Sequence, residues 1–425
     1  MFDLFKNKIY IILLVVGLFL IEALLSMWTG NLYDMNIWFQ TGVWMNQGTN
    51  IYLPNNHLGY PPLWAFWCLI AYRIYSVMGN NIELWRFVIK LPLILAQFGL
   101  AFVIARFAQS RFSKATARKI FLLVLTWIFF IYIGALWGQI NMLSALLTFL
   151  AFYGVITKKT TLGAVLLGVA VALKIYPLIL LPAFVAFILK NQTKKEAGRF
   201  ALFSVALPVV FTLGVLAVYQ WDTIYFLRTI FYWTPVFETA NPLQIQGGCM
   251  NLWSFISLLN IDVSQVWLIR FIWIPILAAT AVYWFKKPQM KDVDLNLAII
   301  SFYLLFMVSY GWVTEQSFLD PLPFILLQIV AFQPRKIYMY GLLTIQGLVF
   351  AFSTFNWGPF IFTPLLTKVN LPLLQAIQIL DPKYPLIWTT RGILGLAVSI
   401  AICIFLVGLA KPSLFEKVFK KSLAL

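Results

Sequence analysis

Asp34 stands in "NLYDMNIWFQ" (residues 31–40), about six residues beyond an apolar run long enough to cross a bilayer, in a chain with 14 acids among 425 residues. A carboxylate there has two uses. It caps a helix or sits solvated in a loop, or it works beside a membrane cavity as a general base that takes the proton of an attacking hydroxyl. Other polar groups recur at the ends of apolar runs. "ALWGQINML" (135–143) sets the amides of Gln139 and Asn141 in a glycine turn, where they bind sugar hydroxyls or satisfy the turn's own backbone. "LKIYPLILLP" (173–182) places Lys174 two residues before Tyr176 and three before Pro177, at a break where a lysine lines a polar cavity or snorkels to the interface. "GWVTEQSFLDPLPF" (311–324) carries Glu315, Gln316 and Asp320, acids and an amide that meet acceptor hydroxyls, a cation or water. Lys174, Arg228, Arg270 and Arg391 are bases suited to a phosphate, the guanidinium as a two-pronged donor and the ammonium as a point charge; otherwise each is an interfacial anchor. Glu22, inside the first apolar run, is a second acid or the partner of a base in the bundle.

The elements that hold these residues are membrane helices. The chain is 62% hydrophobic and 11% charged, with a mean hydropathy of +0.88, against about 25% charged residues in soluble domains. Its repeated apolar runs have the length of spanning helices and lack the polar–apolar alternation of barrel strands. The reading is an all-α polytopic membrane protein with about twelve spans, at 10–28, 86–107, 120–134, 139–156, 161–173, 175–189, 200–219, 264–285, 295–313, 317–332, 338–355 and 392–410. Residues 61–78 are also apolar enough to cross, but a crossing there would carry the basic loop 106–119 outside. Arg73 interrupts the run, and Trp64, Trp67, Tyr72 and Tyr75 favour the interface. It is read as a helix lying on the outer surface, inside a long first external loop, 29–85.

The net charge of +17 follows from this topology. The pieces assigned to the cytoplasm hold 22 of the 31 lysines and arginines and five of the 14 acids, so the whole excess lies there. That is the positive-inside pattern, with attraction to anionic lipid, and not the footprint of a nucleic-acid partner. Three scattered cysteines and one histidine, His57, make no disulfide framework and no histidine-based metal cluster. The first run reads as a signal anchor. No cofactor is indicated, a divalent metal included. Long outer loops and short inner ones put the working side outside the cytoplasm, at the plasma membrane of a prokaryote or the endoplasmic reticulum of a eukaryote.

Taken in order, Asp34, "LGYPPL" (58–63), "GQIN" (138–141), "KIYP" (174–177) and "TEQSF" (314–318) resemble the GT-C class of polytopic glycosyltransferases, which use polyprenyl-phosphate sugars. Within that class they are most similar to the glycosylphosphatidylinositol mannosyltransferase I family, with its "YRYTPL"-like loop, "KIYP" element and "TSQYF" element. The similarity runs over about residues 30–325. The chain departs from that family in having Asp34 alone where members show paired acids, and in Glu315 and Ser317 within the last element.

The resemblance implies a GT-C fold and transfer of a sugar, mannose in that family, from dolichyl or polyprenyl phosphate to a hydroxyl of a lipid-linked, glycan or protein acceptor. The transfer takes place on the extracytoplasmic or lumenal face, with inversion. Under it Asp34 is the general base, Lys174, Arg228 and Arg391 take the donor phosphate, and Tyr60, Gln139, Asn141, Tyr176, Glu315 and Gln316 contact substrate. Two modules are expected, 1–199 and 200–425. A polytopic transporter or flippase is the alternative; it predicts paired broken helices in an internal repeat, and none is evident.

Overall fold

The computed structural model describes residues 8–53, 58–227, 229–230, 249–259, 271–311, 313–356, 358–369 and 385–412. Among these residues the chain is helical throughout, with no strand. Seven helices are long and apolar enough to cross a membrane: Ile9–Trp28, Ile82–Arg111, Lys114–Trp137, Lys194–Val218, Asp292–Ser309, Lys336–Thr354 and Pro385–Ala410. Leu63–Val77, Asn141–Ile156, Thr160–Leu173 and Tyr176–Asn191 are shorter apolar helices.

The side chains are distributed as a bilayer requires. Along the first helix Leu13, Leu20 and Leu24 are exposed while Glu22 and Ser26 are fully buried. In lipid the outer face has no reason to be polar, and polar groups must find partners within the protein. Glu22 does so through an amide and not a base: Gln97 Nε2 donates to its Oε1 at 3.1 Å and to the Leu125 carbonyl at 3.1 Å.

The chain divides into two compact units, one of residues 1–241 with 359–378, the other of 242–358 with 379–425. The first unit contains α1 (Lys8–Trp28), α2 (Leu32–Gln47), α3 (Leu63–Val77), α4 (Ile82–Arg111), α5 (Lys114–Thr126), α6 (Ile128–Ile131), α7 (Asn141–Ile156), α8 (Thr160–Leu173), α9 (Leu181–Asn191), α10 (Lys194–Val218) and α11 (Thr223–Leu227). Helix α4 packs on α1, α5 and α7, and α8 packs on α7 and α10. The α7–α8 crossing is close because both helices place glycine there. A Cβ on Gly154 would stand 3.1 Å from the Gly163 Cα, the small-residue contact by which membrane helices gain packing.

Helices α2 and α3 pair between the first two long helices. Asn31 caps α2, its side chain accepting from the amides of Tyr33 and Asp34, and Gly48 closes it with a left-handed φ of 72°. Trp38 meets Trp64 edge to face at 5.4 Å, and Phe39 packs against Tyr72, Tyr75 and Trp85. Trp67 donates from its indole to the Ile89 carbonyl at 3.1 Å, which ties α3 to the start of α4. A late segment returns to this unit: the Gly30 amide donates to the Ile361 carbonyl at 2.9 Å, and Lys368 lies 4.5 Å over the Trp28 ring and pairs with Glu83.

The second unit contains α12 (Leu252–Ile256), α13 (Trp273–Lys286), α14 (Asp292–Ser309), α15 (Leu322–Leu327), α16 (Lys336–Thr354) and α18 (Pro385–Ala410); the short α17 (Thr363–Val369) belongs to the segment that returns to the first unit. Helix α18 packs on α12, α14 and α16. Asn251 donates to the carbonyls of Met307 and Tyr310, both at 2.8 Å, at the C-terminal end of α14, where carbonyls lack partners within the helix.

Candidate active site

Asp34 lies in the first turn of α2, where capping by Asn31 and the positive end of the helix favour a carboxylate. Its Oδ2 accepts two hydrogen bonds, from the Trp137 indole at 2.7 Å and from Gln139 Nε2 at 2.6 Å. Its Oδ1 accepts none among the described residues, and the side chain is half-buried. Burial pushes the Asp34 carboxyl above its ordinary value, and Trp137, Gln139 and the charge of Lys174 pull it back in part. A carboxylate held by two donors through one oxygen, with the other oxygen uncommitted, is arranged to accept a proton.

The donors come from an irregular stretch. After α6 the backbone widens into a π-helical turn, Tyr132–Trp137, and then reverses at Gly138 with φ +90°. The left-handed reversal is open to glycine, and a Cβ at Gly138 would stand 2.9 Å from Lys90 Cε. The turn points the Trp137 indole and the Gln139 amide to the same carboxylate oxygen, and π-helical turns of this kind recur at functional sites.

Lys174 reaches this region from a helix break. Helix α8 stops at Leu173, Lys174 takes extended backbone with φ −153° and ψ 130°, and a 3₁₀ turn, Tyr176–Leu180, leads into α9. Its buried ammonium donates to Asn141 Oδ1 at 3.0 Å and lies 4.9 Å over the Tyr176 ring. The break thus faces a polar cluster. Asp34, Gln139, Asn141, Lys174 and Tyr176 form one constellation in the first unit.

Tyr60 is half-buried in an aromatic cluster with Tyr52 and Trp221, and its carbonyl accepts the Tyr52 hydroxyl at 3.1 Å. Glu315 is in the second unit and fully buried. Its Oε1 accepts from Ser353 at 3.1 Å and its Oε2 from Asn356 at 3.0 Å. Burial pushes its carboxyl upward, and its own backbone amide, Asn356, Ser353 and the charge of Arg391 oppose that shift. Arg391 is buried in α18, 5.5 Å from the Trp388 ring, with its charge matched to Glu315. Gln316 is half-buried beside Glu315. Arg228, Arg270 and His57 lie outside the described residues. Among the described residues no three His, Cys, Asp or Glu side chains converge as a metal centre would need.

Two residues of the constellation escaped the sequence reading. Trp137 sits in the quoted "ALWGQINML" but reads as one more interfacial tryptophan. Lys90 is fully buried, and its ammonium meets the carbonyls of Ser26, Thr29, Ala135 and Leu136 at 3.1, 2.8, 3.1 and 3.1 Å. A lysine inside an apolar run was the available signal, because a charge in the bilayer must be partnered.

No curated protein matches the chain. The family model of glycosyltransferase family 87 matches residues 57–309, more than half of the chain. Trp137, Gln139, Asn141, Lys174 and Tyr176 fall within the matched segment, and Asp34, Glu315 and Arg391 fall outside it. The likeness to glycosylphosphatidylinositol mannosyltransferase I thus remains one of short motifs, and the chain belongs to glycosyltransferase family 87 as a helical, polytopic membrane glycosyltransferase.

Proposed function

We propose that the protein transfers a sugar from a polyprenyl-phosphate donor to an acceptor hydroxyl on the extracytoplasmic face, with Asp34 as general base. The observation that carries this reading is the one-sided grip on Asp34: Trp137 and Gln139 occupy Oδ2 and leave Oδ1 open. Glu315 is the less suitable acid, since both its oxygens are engaged and it is fully buried. Asp34 Oδ1 takes the proton of the acceptor hydroxyl, and the hydroxyl oxygen attacks the anomeric carbon. The bond from that carbon to the phosphate oxygen breaks, and the lipid phosphate leaves with the electron pair. Attack opposite the leaving group inverts the anomeric centre. Lys174, at the break after α8, meets the charge that grows on the departing phosphate. Gln139 and Asn141 offer amides to sugar hydroxyls, and Tyr176 flanks Lys174. Mannose is the sugar favoured by the motif resemblance.

The direct test is an assay of the purified protein with polyprenyl-phosphate mannose and other polyprenyl-phosphate sugars against lipid-linked and glycan acceptors, with the anomer of the product determined. A product that retains the donor's configuration overturns the single-displacement scheme. Nucleotide sugars serving better than lipid phosphates would overturn the donor assignment.

The pH dependence of kcat/KM carries a further expectation. The base must be ionised to act, and burial raises Asp34 above its ordinary value. The acid limb therefore lies above the value of an exposed aspartate, and activity falls as pH drops through it. An acid limb at the value of an exposed aspartate would count against Asp34.

The side of the membrane is open to labelling. Cysteines placed in 106–119 and 190–199 are expected to be shielded from an impermeant thiol reagent applied outside, and a cysteine near residue 45 to react. Outside labelling of 106–119 would mean that α3 crosses the membrane.

A further inference from the structure

Lys90 has no role in the transfer itself, yet its burial demands a reason. An ammonium inside a helix bundle is tolerated when its donors are satisfied. Those of Lys90 go to four backbone carbonyls and, at 3.4 Å, to the Thr29 hydroxyl. The carbonyls are not scattered. Ser26 and Thr29 lie at the C-terminal end of α1, and Ala135 and Leu136 at the end of the π-helical turn. Helix C-termini leave carbonyls without partners and carry partial negative charge. One ammonium therefore closes two such ends together.

Each end leads into the catalytic constellation. Thr29, Gly30 and Asn31 run from α1 into the first turn of α2, which carries Asp34. From the π-helical turn come Trp137, Gly138 and Gln139, the two donors and the reversal between them. Among the described residues one backbone hydrogen bond joins the two sides, and it is long: the Asn31 amide donates to the Trp137 carbonyl at 3.4 Å. Gly138 also lies against the lysine stem, so the reversal and the clasp are packed as one piece.

We infer that Lys90 is a positioning residue for Asp34: its ammonium clasps the ends of α1 and the π-helical turn, and so holds Trp137 and Gln139 against Asp34 Oδ2. The catalytic consequence rests on the reading of Asp34 as the base; the clasp itself does not. Without it the two donors separate from the carboxylate, and burial is opposed by less. Lys174, from the break after α8, and Tyr33, on α2 itself, are the other titratable groups whose charge couples to Asp34. Arg86, one turn before Lys90 on α4, is the charged neighbour of the lysine.

The test reads the protonation of Asp34 independently of turnover. Dicyclohexylcarbodiimide modifies protonated, buried carboxyls, and peptide mass spectrometry of the full-length protein gives the pH midpoint of labelling at Asp34. In Lys90→Met that midpoint is expected to rise by about one pH unit, as loss of hydrogen bonds to the charged form requires. Turnover falls roughly tenfold to a hundredfold from misplacement, with the donor KM within about twofold. Trp137→Phe shifts the midpoint the same way, and the double variant shifts it no further than the larger single effect, because both act through one contact. Labelling of Glu315 serves as the internal reference and stays in place. If Lys90→Met does not accumulate, Lys90→Arg is read in its stead; it keeps the charge, but its larger, rigid planar fork sets the donors in other directions than the compact ammonium does, and a smaller upward shift is expected. A folded Lys90 variant with the wild-type Asp34 midpoint overturns the inference, as do shifts that add in the double variant. A shifted midpoint together with an Asp34→Asn enzyme of normal turnover leaves the clasp standing and removes Asp34 as the base.

Discussion

Asp34→Asn is expected to lower kcat by roughly two to four orders of magnitude, the contribution of a positioned general base. The side chain keeps its size, and its carbonyl oxygen can still accept from Trp137 and Gln139, so the constellation should persist. Donor binding should be nearly unchanged, since the lost interaction belongs to the transition state. Asp34→Glu should recover little. An added methylene moves the carboxylate by about an ångström, an error of the size that costs orders of magnitude, and it breaks short contacts of 2.7 and 2.6 Å.

A second readout separates this from a structural role. Burial raises the folded-state value of Asp34 above its ordinary 3.8. The stability linked to this group is therefore fully present below the ordinary value, where the carboxyl is protonated in both states, and is lost as pH rises through the shifted value. Above the shifted value the ionised side chain is a cost to the fold, and there Asp34→Asn should unfold no earlier than the wild type. A structural aspartate would behave in the opposite way, losing stability with activity intact. Glu315→Gln is the control: if it abolishes turnover and Asp34→Asn does not, the base lies in the second unit.

Lys174→Met should lower kcat by roughly two to three orders of magnitude, the scale at which a group aimed at developing charge acts. Methionine preserves the length and apolar body of the side chain, so the packing against Tyr176 is largely kept while the charge is lost. Asn141 then loses the donor that it accepts at 3.0 Å. The effect should exceed that of Arg73→Met by far, because Arg73 is exposed and donates to Asn46 at 3.3 Å. Because Lys174 also lowers the Asp34 carboxyl value, its removal should move the acid limb of the pH profile upward. Equal, small losses in the Lys174 and Arg73 variants would remove Lys174 from the site.

The membrane character and the helices were legible because hydrophobic length and the distribution of basic loops are local properties of the chain. The break at "LKIYP" was legible for the same reason: Pro177 and a lysine interrupt an apolar run, and the helix does stop at Leu173. Asp34, Gln139, Asn141, Lys174 and Tyr176 could be named as chemical groups from their types and their places at span ends. Their meeting could not. Asp34 and Gln139 are 105 residues apart, and Asn141 and Lys174 are 33 apart; such contacts depend on which helix faces pack.

Two features arose only in three dimensions. The π-helical turn has no marked local signal, since "YIGALW" continues the apolar pattern of the helix before it, yet it sets the direction of Trp137. Lys90 reads in the sequence as a single charge in α4, and its four carbonyls come from residues 45 to 64 positions away. The same holds for the partners of Glu315 and Tyr60, which are Ser353 and Asn356 for the one and an aromatic cluster for the other. Apolar length and charge asymmetry act segment by segment, and a single sequence displays them. The commitment of one carboxylate oxygen and the freedom of the other depend on the packing of α1, α2, α4 and the π-helical turn at once, and only the folded chain decides it.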